Sequence, residues 1–137
     1  MKPHAEIQPL LDRYLTAYIA HDAEACAAFY SEDAVILSLY GAPCVGRDAI
    51  RTAHKEWFKE GETNKTMTIR DAKINGDLGY LLAVFSADIP NGNGSTRAYG
   101  ASLNFLKRAL LGHGNFIIPA LTNSKTILSR HQNDQNS

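Results

Sequence analysis

Apolar residues near the start of the chain recur every three or four positions. The pattern begins at Ile7, and polar residues such as Asp12 and Arg13 occupy the opposite side. The apolar residues of this stripe are Ile7, Leu10, Leu11, Tyr14, Leu15, Tyr18 and Ile19. The spacing predicts an amphipathic helix from Ile7 to Ile19 that buries one face.

Two further helices are predicted after the first. Asp22 can cap a short helix from Ala23 to Phe29, because its carboxylate can accept from free N–H groups of the first turn. Gly46 precedes a third helix from Arg47 to Glu60, and Gly61 is expected to end it. The residues expected on the buried face of this third helix are Ile50, His54, Trp57 and Phe58.

A short strand is predicted between the second and third helices. Ser31 to Asp33 is expected to end the second helix, and Ala34 to Tyr40 then has the composition of a strand. The residues on both faces of this strand are apolar except Ser38, which predicts that both faces are buried. Gly41 to Pro43 is expected to end it.

After the third helix the hydrophobic period changes to that of strands. Asn75 to Asp77 has glycine at its centre, which favours a hairpin turn. Pro119 cannot donate to a strand ladder, so it predicts a bulge or an edge strand. Ser102 and Asn104 share one face of their strand, although alternation does not decide which face looks inward. The predicted strands are Lys65 to Asn75, Leu78 to Ile89, Ser95 to Arg108 and Asn115 to Asn123.

This order of elements predicts an α+β domain. Three helices packed across one face of a strongly curved, mostly antiparallel sheet make a cone, and a pocket remains between them. We expect a single domain over residues 1–125. The polar segment 126–137 has little to bury and is expected to form a loose tail.

Composition narrows the class of protein. A chain of 137 residues with 45% hydrophobic and 20% charged residues suits one packed core, not a disordered chain or a membrane span. Lys and Arg (14) balance Asp and Glu (14), so no net charge attracts nucleic acid or an anionic membrane. The start of the chain lacks the apolar segment of a signal peptide, so we expect a cytoplasmic protein with Cys26 and Cys44 reduced.

Five stretches carry a family resemblance. They are Arg13-Tyr14, Ala17-Tyr18, His21-Asp22, Phe29 to Val35 and Val45 to Ile50. These stretches resemble the NTF2-like superfamily, in particular its SnoaL-like and ketosteroid-isomerase-like branch, and the resemblance covers about residues 5–123. It implies a cone-shaped, cystatin-like roll that dimerises through its open sheet face. Such proteins include isomerases, cyclases and dehydratases, and the fold alone does not select among these activities.

The resemblance also identifies candidate catalytic residues. Ketosteroid isomerases combine a carboxylate base with a tyrosine and a protonated aspartic acid. Tyr14 matches the tyrosine, whereas the two acidic positions fall near Ser38 and Ser102. Steroid isomerisation with an aspartate base is therefore disfavoured, because a serine hydroxyl has no useful basicity near neutral pH. His54 is then the best candidate acid or base, with Tyr14 beside it.

The candidate residues also have purely structural explanations. A histidine such as His54 on an apolar face is often a core residue, and Tyr14 and Tyr18 belong to the packing stripe of the first helix. The remaining candidates for the pocket wall are Ser38, Trp57, Ser102 and Asn104. The five histidines lack the spacing of metal ligands and no phosphate-binding loop is present, so neither a metal nor a cofactor is expected.

Two hypotheses for function follow from these residues. The first is a protein that binds a small, largely apolar molecule in the cone, with isomerase, cyclase or dehydratase chemistry that does without the aspartate base. The second is a non-catalytic homodimeric association module whose sheet face forms the interface, which would explain serine at both acidic positions. Whether the chain is an enzyme stays open at this point.

Overall fold

The computed structural model describes residues 3–38, 42–108 and 116–127, with side chains described for residues 5–37 and 42–108. Within these ranges the chain forms three helices and one mixed sheet. The helices are α1 (Pro3–Ile19), α2 (Ala23–Ala27) and α3 (Arg47–Phe58). The strands are β1 (Tyr30–Ser38), β2 (Cys44–Val45), β3 (Thr63–Asn75), β4 (Leu78–Pro90), β5 (Ser95–Arg108) and β6 (Phe116–Ile127).

The three predicted helices are confirmed, with changed ends. α1 begins at Pro3, ahead of the predicted start at Ile7. Asp22 caps α2 as predicted, since its carboxylate accepts the N–H of Ala25 at 3.0 Å. α3 begins at Arg47 as predicted and, like α2, ends two residues earlier than expected.

Glycine ends α3 and turns the first hairpin. Gly61 follows α3 with φ of +76°, in the left-handed region that only glycine adopts without a steric cost. Gly76 has φ of +64° in the turn between β3 and β4, as the sequence Asn75 to Asp77 predicts. Both positions were identified from sequence because this conformation depends on the residue itself.

The strand order in the sheet is β2-β1-β6-β5-β4-β3. β3, β4 and β5 form an antiparallel meander, and the β4–β5 ladder runs unbroken from Leu78 opposite Lys107 to Pro90 opposite Ser95. β6 pairs antiparallel with β5 and parallel with β1. The sheet is therefore mostly antiparallel, as predicted, with one parallel contact between its two halves.

The prediction for β1 was wrong in two respects. The strand begins at Tyr30 and not at Ala34, so Ser31 to Asp33 belong to it, because exposed polar side chains are compatible with a strand. Burial is also one-sided, since Ala34 and Ile36 are buried whereas Leu37 is 45% exposed. β1 ends at Ser38, and residues 39–41 lie outside the described residues.

The prediction of a bulge at Pro119 is confirmed, and the alternative of an edge strand was wrong. β6 lies between β1 and β5, and its register shifts near Pro119 in both ladders. The shifts accommodate the missing N–H of proline inside the sheet. The strand continues to Ile127, so Thr126 and Ile127 belong to the sheet and not to the expected tail. Residues 128–137 lie outside the described residues.

The core lies between the helices and one face of the sheet. The buried side chains of β5 are Thr96, Ala98, Ser102, Asn104 and Leu106, so its even-numbered positions face the helices. Residues from all three helices and from four strands form one apolar cluster. They are Ile7, Leu10, Leu11, Ala27, Tyr30, Ala34, Ile36, Ile50, Ala72, Leu81, Ala83 and Leu106. Burial of such side chains is the main source of stability in a domain of this size.

Arginine side chains fix the helices to the sheet. Arg47 of α3 donates twice to the carbonyl oxygen of Tyr30, at 2.7 and 3.1 Å. Arg108 at the end of β5 forms an ion pair of 3.2 Å with Glu6 of α1. Among the helices that the structure describes, none is both long and apolar enough to cross a membrane.

Candidate functional site

A hydrogen-bonded pair, Tyr14 and His54, joins α1 to α3. The Tyr14 hydroxyl lies 2.6 Å from Nε2 of His54. His54 is fully buried, and Tyr14 is partly buried against the same core cluster. Both residues were placed on inward faces by their helical spacing, and the structure brings them together as direct partners.

The second ring nitrogen of His54 fixes its tautomer. Nδ1 lies 2.8 Å from the carbonyl oxygen of Ile50, which can only accept, so Nδ1 carries the hydrogen. Nε2 of the neutral ring is then an acceptor for the Tyr14 hydroxyl. His54 therefore also meets the structural description of a core histidine, since both of its nitrogens have partners within the chain.

Burial keeps His54 uncharged at neutral pH. Loss of hydration lowers its pKa, the bond to Ile50 opposes this effect and the charge of Lys65 adds to it, so that the pKa is about 4. Burial likewise raises the pKa of Tyr14 well above its ordinary value. At neutral pH the pair consists of a neutral imidazole acceptor and a protonated phenol donor.

Aromatic rings surround the pair on several sides. Tyr14 makes edge-to-face contacts with Phe29 and Tyr30, with ring centres 5.6 and 6.3 Å apart. Trp57 lies 4.7 Å from the His54 ring. These contacts orient both rings, and edge-to-face contacts of this kind add stability beyond the area that they bury.

A second polar pair, Glu62 and Lys65, lies in the turn from α3 to β3 and at the start of β3. Oε1 of Glu62 accepts from the Tyr18 hydroxyl at 2.9 Å. Nζ of Lys65 lies 3.6 Å from Oε2 of Glu62, and the two side chains are only 9% and 6% exposed. The same ammonium lies over the rings of Tyr18 and Phe85, at 4.5 and 4.4 Å from their centres. Burial and the neighbouring Glu62 raise the pKa of Tyr18.

Polar residues also occupy the inner face of the sheet. Nδ2 of Asn104 donates to the hydroxyl of Ser102 at 3.1 Å and to the carbonyl oxygen of Leu81 at 3.2 Å. Ser102 pairs in register with Asn123, which pairs with Ser38 of β1. The backbone thus sets Ser38 and Ser102 on either side of β6. The side chain of Ser38 lies outside the described residues.

The predicted site residues fall into two groups. Tyr14, Tyr18, His54 and Trp57 form one cluster between α1 and α3. Ser102 and Asn104 lie on the buried face of β5, where their hydrogen bonds connect them to each other and to β4. The structure therefore shows which face of β5 looks inward, a question that alternation alone did not decide.

Sequence reasoning missed the ion pair, Phe85 beside it and Tyr30 beside His54. Lys65 alternates with Met67 and Ile69, which are partly buried against the core, so period-two alternation could have placed it inward. Glu62 gives no such signal, because it lies in a turn. Tyr30 and Phe85 could have been identified only as core residues.

Two further features concern possible ligands. Among the described side chains, no three potential metal ligands come together. On the opposite, open face of the sheet lies a shallow depression of about 500 Å³. Its lining residues include Thr66, Thr68, Val84, Ser86, Tyr99 and Ala101.

Comparison with protein families gives a match over most of the chain. A model described as the SnoaL-like domain matches residues 11–107. This span contains both polar pairs, Tyr14–His54 and Glu62–Lys65. A comparison with curated proteins gives no match.

Solved structures with similar folds have low sequence identity. A ketosteroid isomerase-like protein from Erwinia carotovora atroseptica SCRI1043 has a TM-score of 0.76 and 21% identity, over 90% of this chain and 96% of that chain. A domain of unknown function with a cystatin-like fold from Nostoc punctiforme PCC 73102 has a TM-score of 0.73 and 18% identity, over 98% and 83%. An NTF-2 like protein of unknown function from Shewanella oneidensis MR-1 has a TM-score of 0.69 and 18% identity, over 90% and 99%. These similarities show the fold alone.

Proposed function

This chain belongs to the SnoaL-like domain family, and we propose that it binds a small, largely apolar molecule between its helices and the inner face of its sheet. The observation that carries this proposal is the 2.6 Å hydrogen bond between Tyr14 and His54 in an aromatic surrounding. A ligand there meets one preorganised polar point and otherwise apolar walls, which is the usual composition of a small-molecule site.

Several inward-facing side chains are partly exposed, which supports an interior that a ligand can reach. Tyr14, Trp57 and Met67 pack against the core cluster and yet retain accessible surface. Fully packed cores leave no such surface, because interiors of proteins are nearly as dense as organic crystals. Residual exposure beside a fully buried His54 is therefore the arrangement expected at the wall of a hollow.

The polar pair supports proton-transfer chemistry on a carbonyl compound. A ligand carbonyl that accepts the O–H of Tyr14 frees Nε2 of His54, which can then accept a proton from the ligand. With a pKa of about 4, His54 has the basicity of an ordinary aspartate, about 3.9. In this proposal a neutral imidazole replaces the carboxylate base, whose position in the family is serine here, at Ser38. Isomerase, cyclase and dehydratase reactions all use such a step.

Calorimetric titration with 2-acetylnaphthalene and with its hydrocarbon analogue 2-ethylnaphthalene tests the proposal. Tyr14→Phe keeps the ring and removes the donor, so it should weaken binding of the ketone about tenfold and leave the hydrocarbon unaffected. Trp57 is the only tryptophan of the chain, so quenching of its fluorescence shows whether the ligand binds near it. Tyr80→Phe is the matched control, because that hydroxyl bonds Asp71 on the exposed surface. Equal affinities of Tyr14→Phe and wild type for the ketone would contradict the proposal.

The open face of the sheet favours a second role, association of two copies. Tyr99 and Phe105 are 45% and 47% exposed, and both lie on the face of β5 opposite the helices. The same face carries the depression lined by Val84 and Ala101. Exposed apolar patches of this kind are typical of association surfaces, and we propose a homodimer formed through this face.

Sedimentation of the Tyr99→Asp variant tests the homodimer. A charge on this face should shift the equilibrium to monomer, because a buried unpaired carboxylate opposes association. Ile19→Asp is the matched control, since Ile19 is 59% exposed on α1 and away from the sheet face. A monomeric wild type at micromolar concentration would remove this role.

A further inference from the structure

The Glu62–Lys65 pair is buried at a cost that packing alone does not explain. Both side chains carry charges that prefer water, yet they are only 6% and 9% exposed. Apolar residues of similar size are often as stable or more stable in such positions. In the proposed function the pair borders the ligand site, where buried charges are candidates for ligand recognition.

The two members of the pair face different groups. Glu62 is held by the Tyr18 hydroxyl at 2.9 Å, on the side of the helices. The ammonium of Lys65 lies over the faces of Tyr18 and Phe85, both of which attract a cation. The Lys65 ammonium therefore lies against two aromatic rings, while the Glu62 carboxylate accepts from the Tyr18 hydroxyl.

The electrostatic effect of Lys65 reaches the Tyr14–His54 pair. The positive charge of Lys65 contributes to the lowered pKa of His54, so the ammonium makes the potential at the imidazole more positive. Tyr18 also connects the two pairs, with its ring centre 6.0 Å from that of Tyr14 and 6.1 Å from that of His54. In a water-poor interior such a charge acts over a longer range than at the surface.

We infer that Lys65 and Glu62 select the charge class of the ligand, which is an apolar molecule with an anionic oxygen, a carboxylate or an enolate, beside the Tyr14–His54 pair. This inference rests on the proposed ligand-binding function. Lys65 supplies N–H donors and positive charge to the oxygen. Glu62 balances Lys65 when no ligand is bound and competes with the ligand anion for it.

The test compares naphthalene ligands that share the ring system and carry an anionic, a cationic or a neutral polar group. 2-Naphthoate carries the anion, 2-naphthylmethylammonium carries a cation, and 2-acetylnaphthalene is the neutral reference. Wild type should bind the naphthoate more tightly than the ammonium compound. Glu62→Gln removes the competing carboxylate and should raise this preference about tenfold, as expected for one charge–charge interaction in a partly desolvated site.

Variants of Lys65 complete the test. Lys65→Met should abolish the preference for the naphthoate. The double variant Glu62→Gln/Lys65→Met removes both charges and provides a folded alternative if Lys65→Met alone is unstable. It should bind naphthoate and ammonium equally while keeping its affinity for the ketone. Lys59→Met is the matched control, because Lys59 forms the same i, i+3 pair with Glu56 on the exposed surface of α3.

The outcomes separate this inference from the proposed function. If the charge preference is the same in wild type, Glu62→Gln and the double variant, while Tyr14→Phe still weakens ketone binding, the ion pair is structural and the inference fails alone. If no naphthalene ligand binds wild type, both proposals fail. Titration of His54 by NMR gives an independent check, since its pKa should rise in the double variant if Lys65 sets the potential there.

Discussion

The interior of this domain holds two polar pairs of different kinds. Tyr14 and His54 are both neutral, and their hydrogen-bond partners lie within the chain. Glu62 and Lys65 are both charged, with 3.6 Å between nitrogen and oxygen, a distance longer than a charge-assisted hydrogen bond. Hydrogen bonds compensate for the burial of the neutral pair, whereas the opposite charge of each partner compensates for the burial of the charged pair. The two pairs should therefore respond differently to the loss of one member.

Loss of Lys65 should have the largest effect. Lys65→Met leaves the carboxylate of Glu62 buried without its ammonium partner, which should cost about 3–5 kcal/mol in the free energy of unfolding. Urea denaturation of the purified variant measures this loss. Glu62→Gln/Lys65→Met should recover much of it, because neither charge remains. A double variant as unstable as Lys65→Met would show that charge balance is not what the pair provides.

Acid should destabilise the protein through His54. The unfolded chain binds a proton near pH 6.5 and the folded protein only near pH 4, so stability falls as the pH is lowered through that window. The two values differ by about 2.5, which corresponds to about 3 kcal/mol at the acid end. Tyr14, Tyr30 and Lys65 face the ring, and none of them supplies a negative charge at these pH values.

His54→Gln isolates this contribution. The free energy of unfolding of wild type and variant, measured by urea denaturation across the window, should converge as the pH falls. Asp88, whose pKa is lowered by Asn64 and Arg97, titrates in both proteins and cancels in the difference. A constant difference between the two proteins would mean that His54 titrates normally and is accessible to water.

Loss of the Tyr14 hydroxyl should have an intermediate effect. Tyr14→Phe leaves Nε2 of His54 as a buried acceptor without its donor, which should cost about 1–3 kcal/mol. Thermal unfolding gives the change, and Tyr80→Phe on the surface should lose less. If both variants lose the same amount, the neutral pair is not buried as the contacts indicate.

The smallest effect is expected for an ion pair near the surface. Glu6 and Arg108 are 3.2 Å apart at the end of the sheet, with about a third of each side chain exposed. Glu6→Gln should cost less than about 1 kcal/mol, and less still at high salt, because solvent screens such pairs. A loss as large as that of Lys65→Met would remove the distinction between the inner and outer ion pairs.

Local patterns predicted most of the helices and strands, and with them one of the two polar pairs of the interior, Tyr14 and His54. The spacing of Ile50, His54 and Trp57 placed the imidazole on the inward face of α3, because a helix has one period throughout. β5 was predicted with both ends correct, since turn residues bound it on one side and alternation continues to Arg108. The helical stripe placed Tyr14 on the inward face of α1, and the family resemblance identified it as a candidate catalytic residue.

Features that depend on distant residues were not predictable in this way. The parallel pairing of β1 with β6 joins segments far apart in the sequence, and neither segment encodes the partner. The burial of Glu62 depends on Tyr18 of α1, so its turn position gave no signal. Ser38 argued against a carboxylate base and Ser102 against a second acid, yet Glu62 places a carboxylate in the interior.

The central position of β6 has a consequence for how the chain becomes folded. β3, β4 and β5 can pair as soon as they leave the ribosome, because their contacts are local. β1 can pair early only with β2, and its other edge stays unpaired until residues 116–127 have been synthesised, because β6 joins it to β5. During that interval the unpaired strands are exposed to other chains, and chaperone demand should concentrate there.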